Sequence, residues 1–101
     1  MPSAIRSERL LAANNFSGWR YATVPAGVRW SLKYVAAYNQ AGGSLTAAIS
    51  VAGYVFVQKT LAFNDTWLWE GTVVLYAGEQ VGAYSSAVGI TVVMSGFALP
   101  A

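Results

Sequence analysis

From Val28 to Tyr34 the chain alternates without a break: Val28, Trp30, Leu32 and Tyr34 fall on one side of an extended backbone, and Arg29, Ser31 and Lys33 on the other. Successive side chains of a strand point to opposite faces, so this segment reads as a strand with one covered and one solvated face. A half-apolar strand is not stable alone, and the rest of the chain has to supply the sheet that covers it. The same alternation predicts continuation through Ala36 and Tyr38 and a break at Gln40-Ala41-Gly42-Gly43.

Period two recurs downstream. Leu45, Ala47, Ile49 and Val51 oppose Thr46, Ala48, Ser50 and Ala52, a turn is expected near Gly53, and Tyr54–Leu61 is rich in aromatic and β-branched residues. Asn64-Asp65 opens a strand from Thr66 to Thr72 that Val73–Tyr76 extends or follows, and Ala77-Gly78 turns the chain into Val81–Ser85. After Ala87–Gly89, Ile90, Val92 and Met94 alternate with Thr91, Val93 and Ser95, and Gly96 predicts a bulge before Phe97 and Leu99. Upstream, Ile5–Ala13 and Trp19–Val24 are weaker strands separated by Asn14–Gly18, and Pro25-Ala26-Gly27 is a turn, since Pro presets φ and Gly tolerates positive φ. The long uncharged span from Tyr34 to Gln58 has this strand period and several Gly, Asn and Gln residues, so it is not read as a membrane helix.

About eight short strands without a helix predict an all-β fold, an antiparallel β-sandwich with jelly-roll-like topology. At 101 residues there is room for one core. The expected division is residues 1–13 as an N-terminal arm or edge strand and 14–101 as a single sandwich domain. The segment Met1–Leu11 carries Arg6, Glu8 and Arg9 and no apolar run of signal-peptide length.

The chain has no Cys and no His, which removes thiolate and imidazole chemistry and disulfide staples. Four carboxylates remain besides the C-terminus; Glu70 and Glu79 are the conceivable acid/base pair, but Glu79 follows Ala77-Gly78 as a turn residue would. No Ser or Thr has an evident base, no glycine-rich loop joins a strand to a helix, and Asn64-Asp65 is too sparse for calcium. The reading is of a protein that is not an enzyme and uses no cofactor and no metal. The six cations, Arg6, Arg9, Arg20, Arg29, Lys33 and Lys59, are scattered and form no stripe along which a phosphate backbone would run, so nucleic acid is not an expected partner.

Only 10% of residues are charged, against roughly 25% in a typical soluble domain, while 55% are hydrophobic. Such a surface suits a subunit packed among neighbours, and the uncharged stretch after Glu79 is where neighbours are expected. Trp67 and Trp69 share one strand face and Leu68 takes the other: the two Trp either enter the core or stand out as a platform for a protein interface or a sugar ring. The same choice holds for Trp19 and Tyr21. Candidate interface residues are Arg6, Arg9, Leu10, Trp67 and Trp69; Arg6-Ser7-Glu8-Arg9 before Leu10-Leu11 has little alternation of its own and could lend a strand, Pro2–Ala13, to a neighbouring sheet edge.

Three stretches together resemble the small β-sandwich virion proteins of tailed bacteriophages: Tyr21–Trp30 with its Thr23-Val24-Pro25-Ala26-Gly27 turn, Val73–Val81 with Leu75-Tyr76-Ala77-Gly78-Glu79, and Gly89–Leu99 with the ending Ser95-Gly96-Phe97-Ala98-Leu99. The resemblance runs from about Leu10 to Leu99 and departs at Glu79, where Asp is more common, and at Trp67 and Trp69, where polar residues are frequent. It implies a structural virion protein without catalytic residues, in the first place a capsid decoration protein on the outer surface of the major capsid protein shell, made in the host bacterial cytoplasm. It also implies a homo-oligomer, with a trimer favoured, and no membrane partner. Minor tail, baseplate or head-fibre parts share the pattern, and a carbohydrate-binding module using Trp67 and Trp69 is the reading from another class.

Overall fold

The computed structural model describes residues 6–100; of Arg6 only the backbone is described. Six antiparallel strands follow in order: β1 (Arg6–Thr23), β2 (Val28–Asn39), β3 (Leu45–Val51), β4 (Tyr54–Leu61), β5 (Thr66–Leu75) and β6 (Gln80–Pro100). No described residue is helical, and so no helix among them is long and apolar enough to cross a membrane. Each of the eight expected segments is strand. Four of them run together in pairs, because strand conformation continues through Asn14–Gly18 of β1 and through Ala87–Gly89 of β6, although the ladder between the two is irregular there and only Phe16 and Gly18 of that β1 stretch keep partners. Positive φ at Asn15, Gly18 and Gly89 lets both strands bend there.

β6 is the hub. Over Gln80–Ser85 and Ile90–Ala98 it pairs with β1; on its other side Val81–Ser85 pairs with β3, and Ile90–Pro100 with β2. β4 then pairs with β3, and β5 with β2. The sheet reads as two four-stranded halves, β4-β3-β6-β1 and β5-β2-β6-β1, in an all-β, sandwich-like fold. We call them the β3 half and the β2 half; they share one core, and the molecule measures 50 × 21 × 19 Å. The hub position explains why no charge follows Glu79: a strand hydrogen-bonded on both edges, with Val81, Ala83, Ile90, Val92 and Met94 buried, leaves little place for one.

One register expectation also fails. Trp30 and Leu32 are buried, but beyond them Val35, Ala37 and Asn39 are buried, while Tyr34, Ala36 and Tyr38 lie on the outside. An extra residue, Lys33, opposes the Gly96–Ser95 step of β6, and a one-residue insertion exchanges the faces of all that follows. The bulge expected on the Gly96 strand is thus carried by β2. Gly96 has its own requirement, since a Cβ there would meet the carbonyl oxygen of Ser31. Asn39, fully buried, donates from Nδ2 to Gly43 O and Leu61 O, both at 2.8 Å, and accepts from Ala41 N at 2.8 Å, which ties β2 to the end of β4.

Candidate functional site

The predicted site residues do not converge. Arg6 pairs through its backbone with Ala98, and its side chain lies outside the described part, as do residues 1–5. Arg9 is exposed and its partner across the strand is Ser95. Leu10 is 6% exposed and belongs to the core, a correction: it is the extra residue of a bulge between Arg9 and Leu11 that turns it inward. From Arg6 to Ala13 the backbone is already bonded to Val92–Ala98 of the same chain, so this stretch of the lent-strand idea is engaged at home.

Trp67 and Trp69 face inward, opposite the buried Ala37 and Val35, and pack partly buried against the core. The ring of Phe56 from β4 meets Trp69 edge-on at 5.5 Å, which joins the free edges of the two halves. Leu68, 55% exposed, is the outward residue of that pair, so the sugar platform expected on Trp67 and Trp69 is not formed there. Glu70 is exposed on β5, whereas Glu79 accepts from Tyr76 N at 2.7 Å and fixes its own turn. Val24 N donates to Glu79 O at 2.9 Å and Gly78 N to Val24 O at 3.0 Å, so the Pro25–Gly27 and Ala77–Gly78 turns brace each other. Among the described residues no group of three or more potential metal ligands gathers.

What the fold does bring together are two outer faces. On the β2 half, rows run across the sheet as Ser7–Phe97–Ser31–Val74, Arg9–Ser95–Tyr34–Glu70 and Ala12–Val93–Ala36–Leu68. Leu68, Val74 and Phe97 are exposed on this face. A shallow groove of about 310 Å³ is lined by Ser31, Lys33, Phe97 and Leu99, and Arg29 pairs with Leu99 beside it. Lys33, brought there by its bulge, donates to Thr72 Oγ1 at 2.6 Å.

On the β3 half the rows are Thr23–Gln80, Tyr21–Gly82–Ser50–Val55 and Trp19–Tyr84–Ala48–Gln58. Trp19 stacks on Tyr21 at 5.7 Å with 10° between planes and leans on Tyr84 at 5.2 Å. These rings bury Ala48 and Ser50 from outside, although the alternation of β3 turns both away from the core. Tyr84 escaped the sequence reading; the nearby signal was Gly82, a strand glycine over which the Tyr21 ring fits.

No known protein family matches the chain, and no curated protein matches it in sequence. Among solved structures, a pentameric capsid protein isolated from metagenomic phage sequences is similar at a TM-score of 0.43 and 20% identity, over 93% of this chain and 60% of its own. A second structure of such a pentameric capsid protein gives 0.41 and 20% over 93% and 64%. Dimeric latent PorU from Porphyromonas gingivalis gives 0.43 and 11% over 95% of this chain and 12% of its own. The chain therefore spans less than two thirds of each. At these identities and scores the likenesses assign no function.

Proposed function

We propose that the chain is a structural protein of a tailed-bacteriophage virion, and that it works as a capsid decoration protein held on the outside of the major capsid protein shell by the outer face of the β2 half. The observation that carries this is the make-up of that face: Leu68, Val74 and Phe97 are exposed on it with Arg9, Arg29 and Lys33 and a single carboxylate, Glu70. Exposed apolar side chains with a net positive surround offer both desolvation and steering toward an acidic partner surface. The motif turns that suggested the virion group serve the fold, bracing the start of β6, which suits a rigid module repeated on a lattice. Copies are proposed to associate, around a threefold axis in the simplest case, sharing apolar surface.

Quantitative mass spectrometry of purified particles of the encoding phage tests the reading. Hundreds of copies per particle, on the order expected for lattice decoration, support it. A handful of copies places the chain in the tail, baseplate or a head fibre, and absence from the particle removes the virion reading.

A further inference from the structure

We propose that the outer face of the β3 half binds a neutral oligosaccharide, centred on the Trp19–Tyr21 ring pair. The C–H faces of a pyranose pack on aromatic rings, while its hydroxyls need partners that both donate and accept. Both requirements meet here. The two rings are near-parallel, 5.7 Å apart, and Tyr21 is 53% exposed, with Tyr84 supporting Trp19 from the side. The register places Gln58, Thr60, Gln80 and Thr23 on the same face, with Gln80 Nε2 donating to Thr23 Oγ1 at 3.0 Å.

The charge pattern selects among ligands. No Asp, Glu, Lys or Arg stands in these rows: Arg20, opposite Ala83, and Lys59, opposite Ala47, start from the other face, and the Arg20 guanidinium stays at the β1 edge, donating to Ser17 O and Trp19 O at 3.2 Å. Arg9, Arg29, Lys33 and Glu70 belong to the β2 half. A face without charge matches a glycan without charge and offers nothing to a sulfated or uronic sugar.

A second observation points the same way. Ser50 is 4% exposed, and its Oγ is the one buried side-chain polar atom among the described residues with no hydrogen-bond partner. It sits under Tyr21, against Gly82. A buried hydroxyl without a partner is unfavourable, and a sugar hydroxyl reaching it as the Tyr21 ring swings aside supplies what it lacks. This inference stands apart from the virion reading, which uses the opposite half of the sheet.

The test is titration of the full chain with neutral hexasaccharides of β-1,4-glucose, α-1,4-glucose and β-1,4-N-acetylglucosamine, with the galacturonic acid hexamer as the charged arm. Tryptophan fluorescence and amide chemical shifts report binding, and sedimentation reports association of copies. The expected result is binding of at least one neutral sugar, with shifts confined to the rows around Gly82 and Tyr84. Tyr21→Ala and Trp19→Ala should each weaken it by about tenfold or more, and Ser50→Ala severalfold without lowering Tm. Gln58→Ala, on the exposed rim, should weaken it twofold or more and keeps the test open if a ring variant fails to fold. Leu68→Ala should change nothing. No shift with any neutral sugar at millimolar concentration, tighter binding of the charged hexamer, or ring variants that alter only the sedimentation of copies would overturn the proposal.

Discussion

The two outer faces of this sheet are built on the same two strands. β1 and β6 run through both halves, yet in one half they carry Trp19, Tyr21 and Tyr84 and no charge, and in the other Ser7, Ala12, Ser95 and Phe97 with Arg9 at the edge. The difference lies in what covers the backbone. In the β3 half small residues, Gly82, Ala48 and Ser50, are roofed by rings, so the face is thick and aromatic. In the β2 half no such stacked ring pair lies over the central strand, and the face exposes Phe97 together with Leu68 and Val74 of β5. One fold thus presents two chemistries in opposite halves, and a shortage of charge has two causes in one chain: burial in β6, and an uncharged exposed face in the β3 half.

Glycine substitution on β6 separates the halves most strongly. Gly96→Ala drives a Cβ into the Ser31 carbonyl, which is fixed backbone, whereas at Gly82 the obstacles are the Ser50 hydroxyl and the Tyr21 ring, which can move. Gly96→Ala should cost about 3 kcal/mol or more, and Gly82→Ala about 1–2 kcal/mol, in urea unfolding. Equal costs would mean that the roof is as stiff as the backbone.

Leucines come next. Leu10→Ala, in the core, should cost about 2–4 kcal/mol, while Leu68→Ala should stay within about 0.5 kcal/mol of wild type and yet lower shell occupancy. Trp69→Glu removes the Phe56 contact and places a carboxylate against the core; it should lose about 2–3 kcal/mol, measured by thermal melting. A Trp69→Glu protein that melts like wild type would return that residue to the surface.

Smaller in energy is charge reversal on the outer face of the β2 half. Arg29→Glu combined with Lys33→Glu should leave the unfolding midpoint nearly unchanged and reduce occupancy on particles by about tenfold, with the loss shrinking as salt is raised. The same pair should not alter sugar binding on the β3 half.

How much of this was legible in the sequence differs between elements. Alternation, residue type and turn residues together located the strands, and in β3 alternation assigned the faces correctly: Ala47 and Ile49 are buried in the core. It failed beyond Leu32, because one inserted residue reverses parity and Lys33 looks like any other strand residue. It split β1 and β6, because Asn14–Gly18 and Ala87–Gly89 carry turn residues that here only bend a strand whose partner bends with it. Parity also put Trp67 with Trp69, and Trp19 with Tyr21, without telling inside from outside. That choice belongs to the sheet: Trp67 and Trp69 lie opposite buried residues of β2, and Trp19 lies opposite Tyr84. The aromatic face follows from strand neighbours far apart in the chain, which a single sequence does not display.

The central claim is that the β2 half holds the chain to a phage shell while the β3 half looks outward. An electron-microscopy reconstruction of the encoding phage tests it directly. The account predicts density for this fold on the capsid exterior, with Leu68, Val74 and Phe97 against the shell and Trp19 and Tyr21 facing solvent. Density with the aromatic face buried against the shell, or particles lacking the chain, would contradict it.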